Sequence, residues 1–311
     1  MPERDDELHP HVEATYKARE VEGILDLYFY RPIGFRLAES FQRCKITPVA
    51  VSWLAAVFGI VAGHLYFYRD LRVNVVGMAL HVWANALDNA DGQLARLTHC
   101  ETREGRIIDS IADHLIFFSV YLHLALRYFV AGTSPAIFLL ALAAGISHAL
   151  QGAAADYYRS TYIYFRMIPV AARLDSSSLL ETDYRELNWR RKPWGKLLLA
   201  LYLNFTRQQE ILAPHLKKLR KLIGQLFQGE IPNWLRTRYR NLASPELKWW
   251  GLLMTNTRML VLFALLFIGE PIYYFWFELV PLNLLLIYLL TRQERMAESL
   301  LEVAERWRNS A

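Results

Sequence analysis

The chain has 311 residues, of which 54% are apolar, 14% aromatic and only 21% charged. Soluble chains of this length rarely combine so little charge with so many aromatic residues. This composition also excludes disordered, collagen-like and disulfide-rich proteins. Two cysteines, Cys44 and Cys100, cannot build a disulfide framework, and their spacing matches no zinc knuckle.

Six apolar runs predict transmembrane helices, because a helix that crosses a bilayer needs about 20 predominantly apolar residues. The runs are residues 48–67, 73–87, 115–130, 135–155, 250–268 and 272–290. The second run is the shortest and ends abruptly at Asp88. The sequence therefore predicts an all-α integral membrane protein with six transmembrane helices.

The basic residues predict the orientation of these spans, because cytoplasmic loops carry the excess of lysine and arginine. Of the 35 basic residues, 31 lie in segments that the six spans place on one side. Both termini are therefore expected in the cytoplasm, and the membrane is the inner or plasma membrane if the source is bacterial. The net charge of +5 then indicates attraction to anionic membrane lipids rather than binding to nucleic acid.

Four segments follow from this topology. Residues 1–47 form a cytoplasmic segment with an acidic start and an amphipathic juxtamembrane helix at 24–45. Residues 48–159 hold the first four spans, and residues 160–248 form a cytoplasmic insertion whose leucines at 216–227 recur at helical spacing. Residues 249–311 hold the last two spans and an amphipathic helix at 292–308.

The chemistry lies where the second span ends and the third begins. Asp88 and Asp91 are three residues apart on one predicted helix, and Asp109 and Asp113 are four apart on the next. Each pair therefore shares a helix face, and a short loop lets the two faces converge. Carboxylates at a membrane edge are costly without compensation, and oxygen-only ligands suit one or two Mg²⁺ or Mn²⁺ ions.

Small residues and one cation lie beside these carboxylates. Gly92 and Gly105 carry no side chain, which lets a nucleotide or diphosphate approach the backbone, and Ala95 keeps the same face open. Arg96 lies one turn beyond Asp91, where a guanidinium can complete a phosphate-binding site.

The combined spacing D-x2-DG-x2-AR-x8-G-x3-D-x3-D resembles that of the CDP-alcohol phosphotransferase family, the CDP-alcohol phosphatidyltransferases. The resemblance implies a membrane enzyme, usually a homodimer, with two metal ions per subunit. It also implies that Asp88, Asp91 and Asp109 are metal ligands, and that Asp113 is both a ligand and the base that accepts the acceptor's proton. Gly92, Arg96 and Gly105 would then contact the CDP group, beside Ala95.

The reaction that the resemblance implies is transfer of a phosphoalcohol group from a CDP-alcohol to an acceptor hydroxyl, with release of CMP. We expect CDP-diacylglycerol as donor and a polar alcohol as acceptor, because the cytoplasmic arginines and Arg258 favour a phosphorylated or polyol acceptor. The alternative is a CDP-aminoalcohol donor with a lipid hydroxyl as acceptor. An intramembrane prenyltransferase is a different class, but it would need two separate aspartate-rich repeats. A transporter or scaffold would leave the four aspartates unexplained.

Arg258 is a charged residue inside the fifth predicted span. Ionisable residues inside a membrane are rare and commonly functional. Two interpretations are open at this point: Arg258 contacts an acceptor or lipid phosphate, or it pairs with a buried carboxylate.

Overall fold

A computed structural model describes residues 19–166, 176–227 and 231–310. Within these ranges every regular element is a helix, which confirms the all-α prediction. The acidic start predicted within residues 1–47 lies largely outside the described residues, as do residues 167–175 and 228–230 of the predicted insertion.

The helices follow one another with short connections. After a π-helical turn at Asp26–Tyr30 come α1 (Arg31–Arg43), α2 (Pro48–Leu65), α3 (Leu71–Leu97), α4 (Arg103–Val130), α5 (Ala136–Arg166), α6 (Ser177–Glu186), α7 (Pro193–Leu212), α8 (Pro214–Phe227), α9 (Asn233–Ala243), α10 (Leu247–Leu252), α11 (Thr255–Ile268), α12 (Tyr273–Leu279) and α13 (Pro281–Ser310).

The chain divides into two compact units. The first contains the described residues up to Ser147 together with Asn256–Leu279, and the second contains His148–Thr255 and the described residues from Val280 onward. The division at residues 47, 159 and 248 that the sequence suggests was drawn along the chain, and it stays a prediction.

Among the described residues, five helical segments are long and apolar enough to cross a membrane, which indicates an integral membrane protein. They are Pro48–Leu65, Arg103–Val130, Ala136–Arg166, Asn233–Ile268 and Tyr273–Arg308. The predicted second span, residues 73–87, lies within α3 and is not one of them. That helix also carries Asp88, Asp91 and Arg96, so its length is shared between an apolar half and a polar half, and the sixth span stays a prediction.

The last two predicted spans are interrupted helices rather than continuous ones. The fifth is divided between α10 and α11 at Leu253 and Met254, whose N–H groups donate to the carbonyls of Trp250 and Gly251 in a tight terminal turn. The sixth is divided between α12 and α13 at Pro281, the first residue of α13. Proline has no N–H group to continue a preceding helix, so it begins a new one.

The helices that carry the motif are packed closely by glycines. A Cβ atom on Gly63 would lie 2.6 Å from the Ser119 hydroxyl and 2.8 Å from the Val120 nitrogen, so only glycine lets α2 approach α4 this closely. The Ser119 hydroxyl donates to the Ile60 carbonyl at 2.8 Å across the same contact. Helix α4 is thereby fixed against α2 at its midpoint.

The predicted amphipathic helices both exist as helices, but their placement at the membrane interface stays a prediction. Helix α1 packs on α3, and the Gln93 side-chain amide donates to the Arg31 carbonyl at 3.1 Å. The predicted C-terminal helix at 292–308 is not a separate element, because it continues α13 without a break. It buries Gln293, Ala297, Leu300 and Ala304 at helical spacing.

Candidate metal and nucleotide site

A tight turn folds the two halves of the motif against each other. Helix α3 ends at Leu97, and His99 adopts a left-handed φ of 52° that lets the Cys100 N–H donate to the Ala95 carbonyl at 2.9 Å. Helix α4 then begins after Thr102, whose hydroxyl accepts from the Gly105 N–H at 2.9 Å. This is the usual way to cap a helix N-terminus, and it brings the two aspartate pairs to neighbouring helix ends.

Three carboxylates converge across this turn. One oxygen from each of Asp88, Asp91 and Asp109 lies within 4.8 Å of the others, so the set could hold a metal ion. Asp91 is buried, with 5% of its surface exposed, and the other two are partly buried. Three carboxylates this close repel one another strongly in a medium of low dielectric constant, and a divalent cation relieves that repulsion.

Asp113 lies apart from this group of three. It is one turn further along α4 than Asp109, and its carboxylate acts electrostatically on Asp91 and experiences the charge of Asp88. The four aspartates that the spacing predicts are therefore neighbours, while three of them form the compact ligand set. The roles of all four stay predictions.

Ser52 is a member of the site that the sequence analysis missed. Its hydroxyl donates to the Asp91 carboxylate from the neighbouring helix α2, and it is itself buried. The available signal was a lone hydroxyl in an apolar run, one turn after Pro48. Serines in apolar helices are common, so that signal alone does not identify a partner of Asp91.

Arg96 lies directly over Gly92. A Cβ atom on Gly92 would lie 3.4 Å from the Arg96 Nη2 atom, which is ordinary contact, so packing alone does not require glycine here. Burial, followed by the nearby Arg31 guanidinium, lowers the pKa of Arg96 to about 10. Arg96 therefore remains cationic at neutral pH, and its Nε is buried without a hydrogen-bond partner within the described structure. A cation above a bare backbone is an arrangement that suits a phosphate group.

Ala95 and Gly105 flank the same turn. Both are partly exposed, and each takes part in its main-chain hydrogen bonding, Ala95 through its carbonyl and Gly105 through its N–H group. A Cβ atom on Gly105 would lie 3.0 Å from the Thr102 hydroxyl that caps α4. Glycine at this position therefore leaves the capping contact undisturbed.

Arg258 pairs with a buried carboxylate. Its guanidinium contacts the Glu278 carboxylate, and the exposed fractions of the two side chains are 1% and 0%. The hydroxyls of Tyr121 and Tyr274 are hydrogen-bonded to the same glutamate. Of the two interpretations that the sequence left open for Arg258, the structure favours the ion pair.

Residues 45–167 match the family model described as CDP-alcohol phosphatidyltransferase. The resemblance to this family is confirmed. The matched segment contains the whole CDP-alcohol phosphatidyltransferase motif from Asp88 to Asp113, and the family is one of transferases that use a divalent metal ion, a CDP-alcohol donor and an alcohol acceptor. A comparison with curated proteins found no match.

Proposed function

We propose that the protein transfers a phosphatidyl group from CDP-diacylglycerol to the hydroxyl of a polar alcohol and releases CMP. The observation that carries the proposal is the group formed by Asp88, Asp91 and Asp109, whose oxygens lie within 4.8 Å of one another inside the matched segment. The homodimer, the cytoplasmic location of the site and of both termini, and the membrane lipids as partners belong to the same proposal.

The donor set fits hard divalent cations, because it offers carboxylate oxygens and no sulfur or imidazole ligand. Asp88, Asp91 and Asp109 would hold the ions, with Asp113 as a further ligand, and we propose two Mg²⁺ or Mn²⁺ ions per subunit. When bound, such ions neutralise the diphosphate and stabilise the charge of the departing CMP.

The protein's own residues bind the donor and move one proton. Arg96 binds a phosphate oxygen above Gly92, and Ala95 and Gly105 leave space for the nucleotide. The acceptor oxygen forms a bond to the phosphorus that bears the alcohol, and the bond from that phosphorus to the CMP oxygen breaks with its electron pair. Asp113 accepts the acceptor's proton. A carboxylate close to cations is a weak base, so proton removal late in the transition state is favoured over a free alkoxide.

The choice of acceptor now rests on less evidence than the sequence offered. The expectation of a phosphorylated or polyol acceptor drew on Arg258 and on the basic cytoplasmic segments. Because Arg258 is paired with Glu278, only the basic segments still support it. The identity of the acceptor is therefore the part of the proposal that most needs measurement.

The test is CMP release by the purified full chain in detergent, with and without excess chelator. The donors are CDP-diacylglycerol, CDP-choline and CDP-ethanolamine, and the acceptors are glycerol phosphate, inositol phosphate, serine and diacylglycerol. We expect CMP only with CDP-diacylglycerol, a polar acceptor and free Mg²⁺. CMP release from a CDP-aminoalcohol and diacylglycerol would overturn the choice of substrates. Full turnover in chelator would overturn the metal site.

A further inference from the structure

Helix α7 presents an apolar face that no part of the described structure covers. Trp194, Leu197, Leu201 and Ile211 are 75%, 39%, 46% and 76% exposed. These four residues, here called the α7 stripe, lie within roughly a 100° arc of the helix at 3.6 residues per turn. The opposite face is buried, since Leu199 and Leu203 pack with Leu180 of α6 in a small core.

A basic turn, residues 188–192, leads into this helix and is held in place by specific contacts. The Lys196 ammonium donates to the Leu187 carbonyl at 2.6 Å and lies 5.8 Å from the centroid of the Trp189 ring. The Asn188 side chain accepts from the Arg190 N–H at 2.8 Å. The turn therefore presents an ordered set of exposed groups, which are Trp189, Arg190, Arg191 and Lys192.

The C-terminal end of α7 is attached to a candidate membrane span. The Gln209 side-chain amide donates to the Ala153 carbonyl at 3.2 Å and to the Asp156 carboxylate at 3.1 Å. Both partners belong to α5, one of the five apolar segments, and the predicted apolar run of α5 ends at residue 155. The contact therefore places the end of α7 at the boundary between the apolar and polar parts of α5.

We infer that the α7 stripe and the basic turn form a membrane-contact surface that lies on a bilayer rich in anionic lipid. Tryptophan and leucine side chains bury at the headgroup boundary, and adjacent cations attract anionic headgroups. Charge complementarity favours this occupant over a second copy of the chain, because a two-fold interface through this face would bring two basic turns close together. This surface would give the insertion a role that does not depend on the chemistry of the aspartate site.

The test uses the full chain in nanodiscs, with both native cysteines removed by Cys44→Ser and Cys100→Ser. A single cysteine is introduced by Leu201→Cys on the α7 stripe, or by Thr182→Cys on the exposed face of α6 as the matched control. Each is labelled with an environment-sensitive fluorophore, and brominated acyl chains quench any label that enters the lipid. One lipid mixture contains phosphatidylglycerol and the other only phosphatidylcholine.

We expect lipid quenching at position 201 and none at position 182, stronger in phosphatidylglycerol than in phosphatidylcholine. Replacing Arg190, Arg191 and Lys192 together by glutamine should shift the docked equilibrium by roughly 100-fold, or about 3 kcal/mol for three cations. Equal quenching at the two positions, or no quenching at 201, would overturn the inference. A blue-shifted label at 201 without lipid quenching would overturn it in favour of a protein contact. Since no readout is turnover, failure here leaves the proposed reaction untouched.

Discussion

The pair formed by Arg258 and Glu278 offers the sharpest test of how the membrane part of the protein is stabilised. Both side chains are almost completely buried. Removing one partner of a buried ion pair leaves an uncompensated charge and costs about 3–5 kcal/mol. We therefore expect Arg258→Met to lower the free energy of unfolding by about that amount, on the order of the whole stability of many proteins.

The double variant Arg258→Met, Glu278→Gln should recover most of this loss. It removes both charges, and the glutamine still accepts hydrogen bonds from Tyr121 and Tyr274, so the remaining cost should be about 1–2 kcal/mol. Arg207→Met, which breaks an exposed 2.9 Å contact with Glu181, is the matched control and should leave stability nearly unchanged.

Unfolding of the detergent-solubilised full chain and CMP release should be measured on the same preparations. A double variant no more stable than Arg258→Met would refute the argument that the charge pair is the cause. A double variant that regains stability but has a raised KM for the acceptor would instead show that Arg258 contacts the acceptor's phosphate. Recovery of both stability and turnover is the expected result.

Two shorter predictions concern the ligand set. Asp91→Asn should retain the fold but lose turnover even at high Mg²⁺, because it weakens the most buried of the three clustered carboxylates; wild-type turnover would exclude Asp91 as a ligand. Ser52→Ala should raise the Mg²⁺ concentration for half-maximal activity by roughly 10–100-fold, as for other residues that orient a metal ligand, and Ser52→Thr should restore it. An unchanged Mg²⁺ dependence in Ser52→Ala would show that the contact with Asp91 is not needed.

Local spacing predicted the carboxylate site because the interactions that form it are local. Asp88 and Asp91 share one face of α3, Asp109 lies near the start of α4, and five residues separate the two helices. Helical periodicity and a short turn are enough to bring such groups together. The aspartates could therefore be recognised before any packing between distant segments was known.

The partners that sequence reasoning missed are contributed by packing between helices. Ser52 reaches Asp91 from α2, and Glu278 reaches Arg258 across the turn between α11 and α12. No periodicity within one helix encodes either contact. The interruption before Pro281 is different, because proline there was a readable signal that the apolar run concealed.

Asp113 provides the test that separates a metal ligand from a base. It lies outside the group of three converging carboxylates and one turn further along α4, so its loss should affect binding less than the loss of Asp91. Asp113→Asn keeps the size and one oxygen of the side chain but cannot accept the proton. We expect binding of the CDP-alcohol to survive within about tenfold, or roughly 1.4 kcal/mol, while turnover falls by about 10² or more. Calorimetry and CMP release on one preparation measure both quantities. Parallel loss of binding and turnover would make Asp113 a ligand only, whereas normal turnover would mean that the proton leaves to water or to the phosphate.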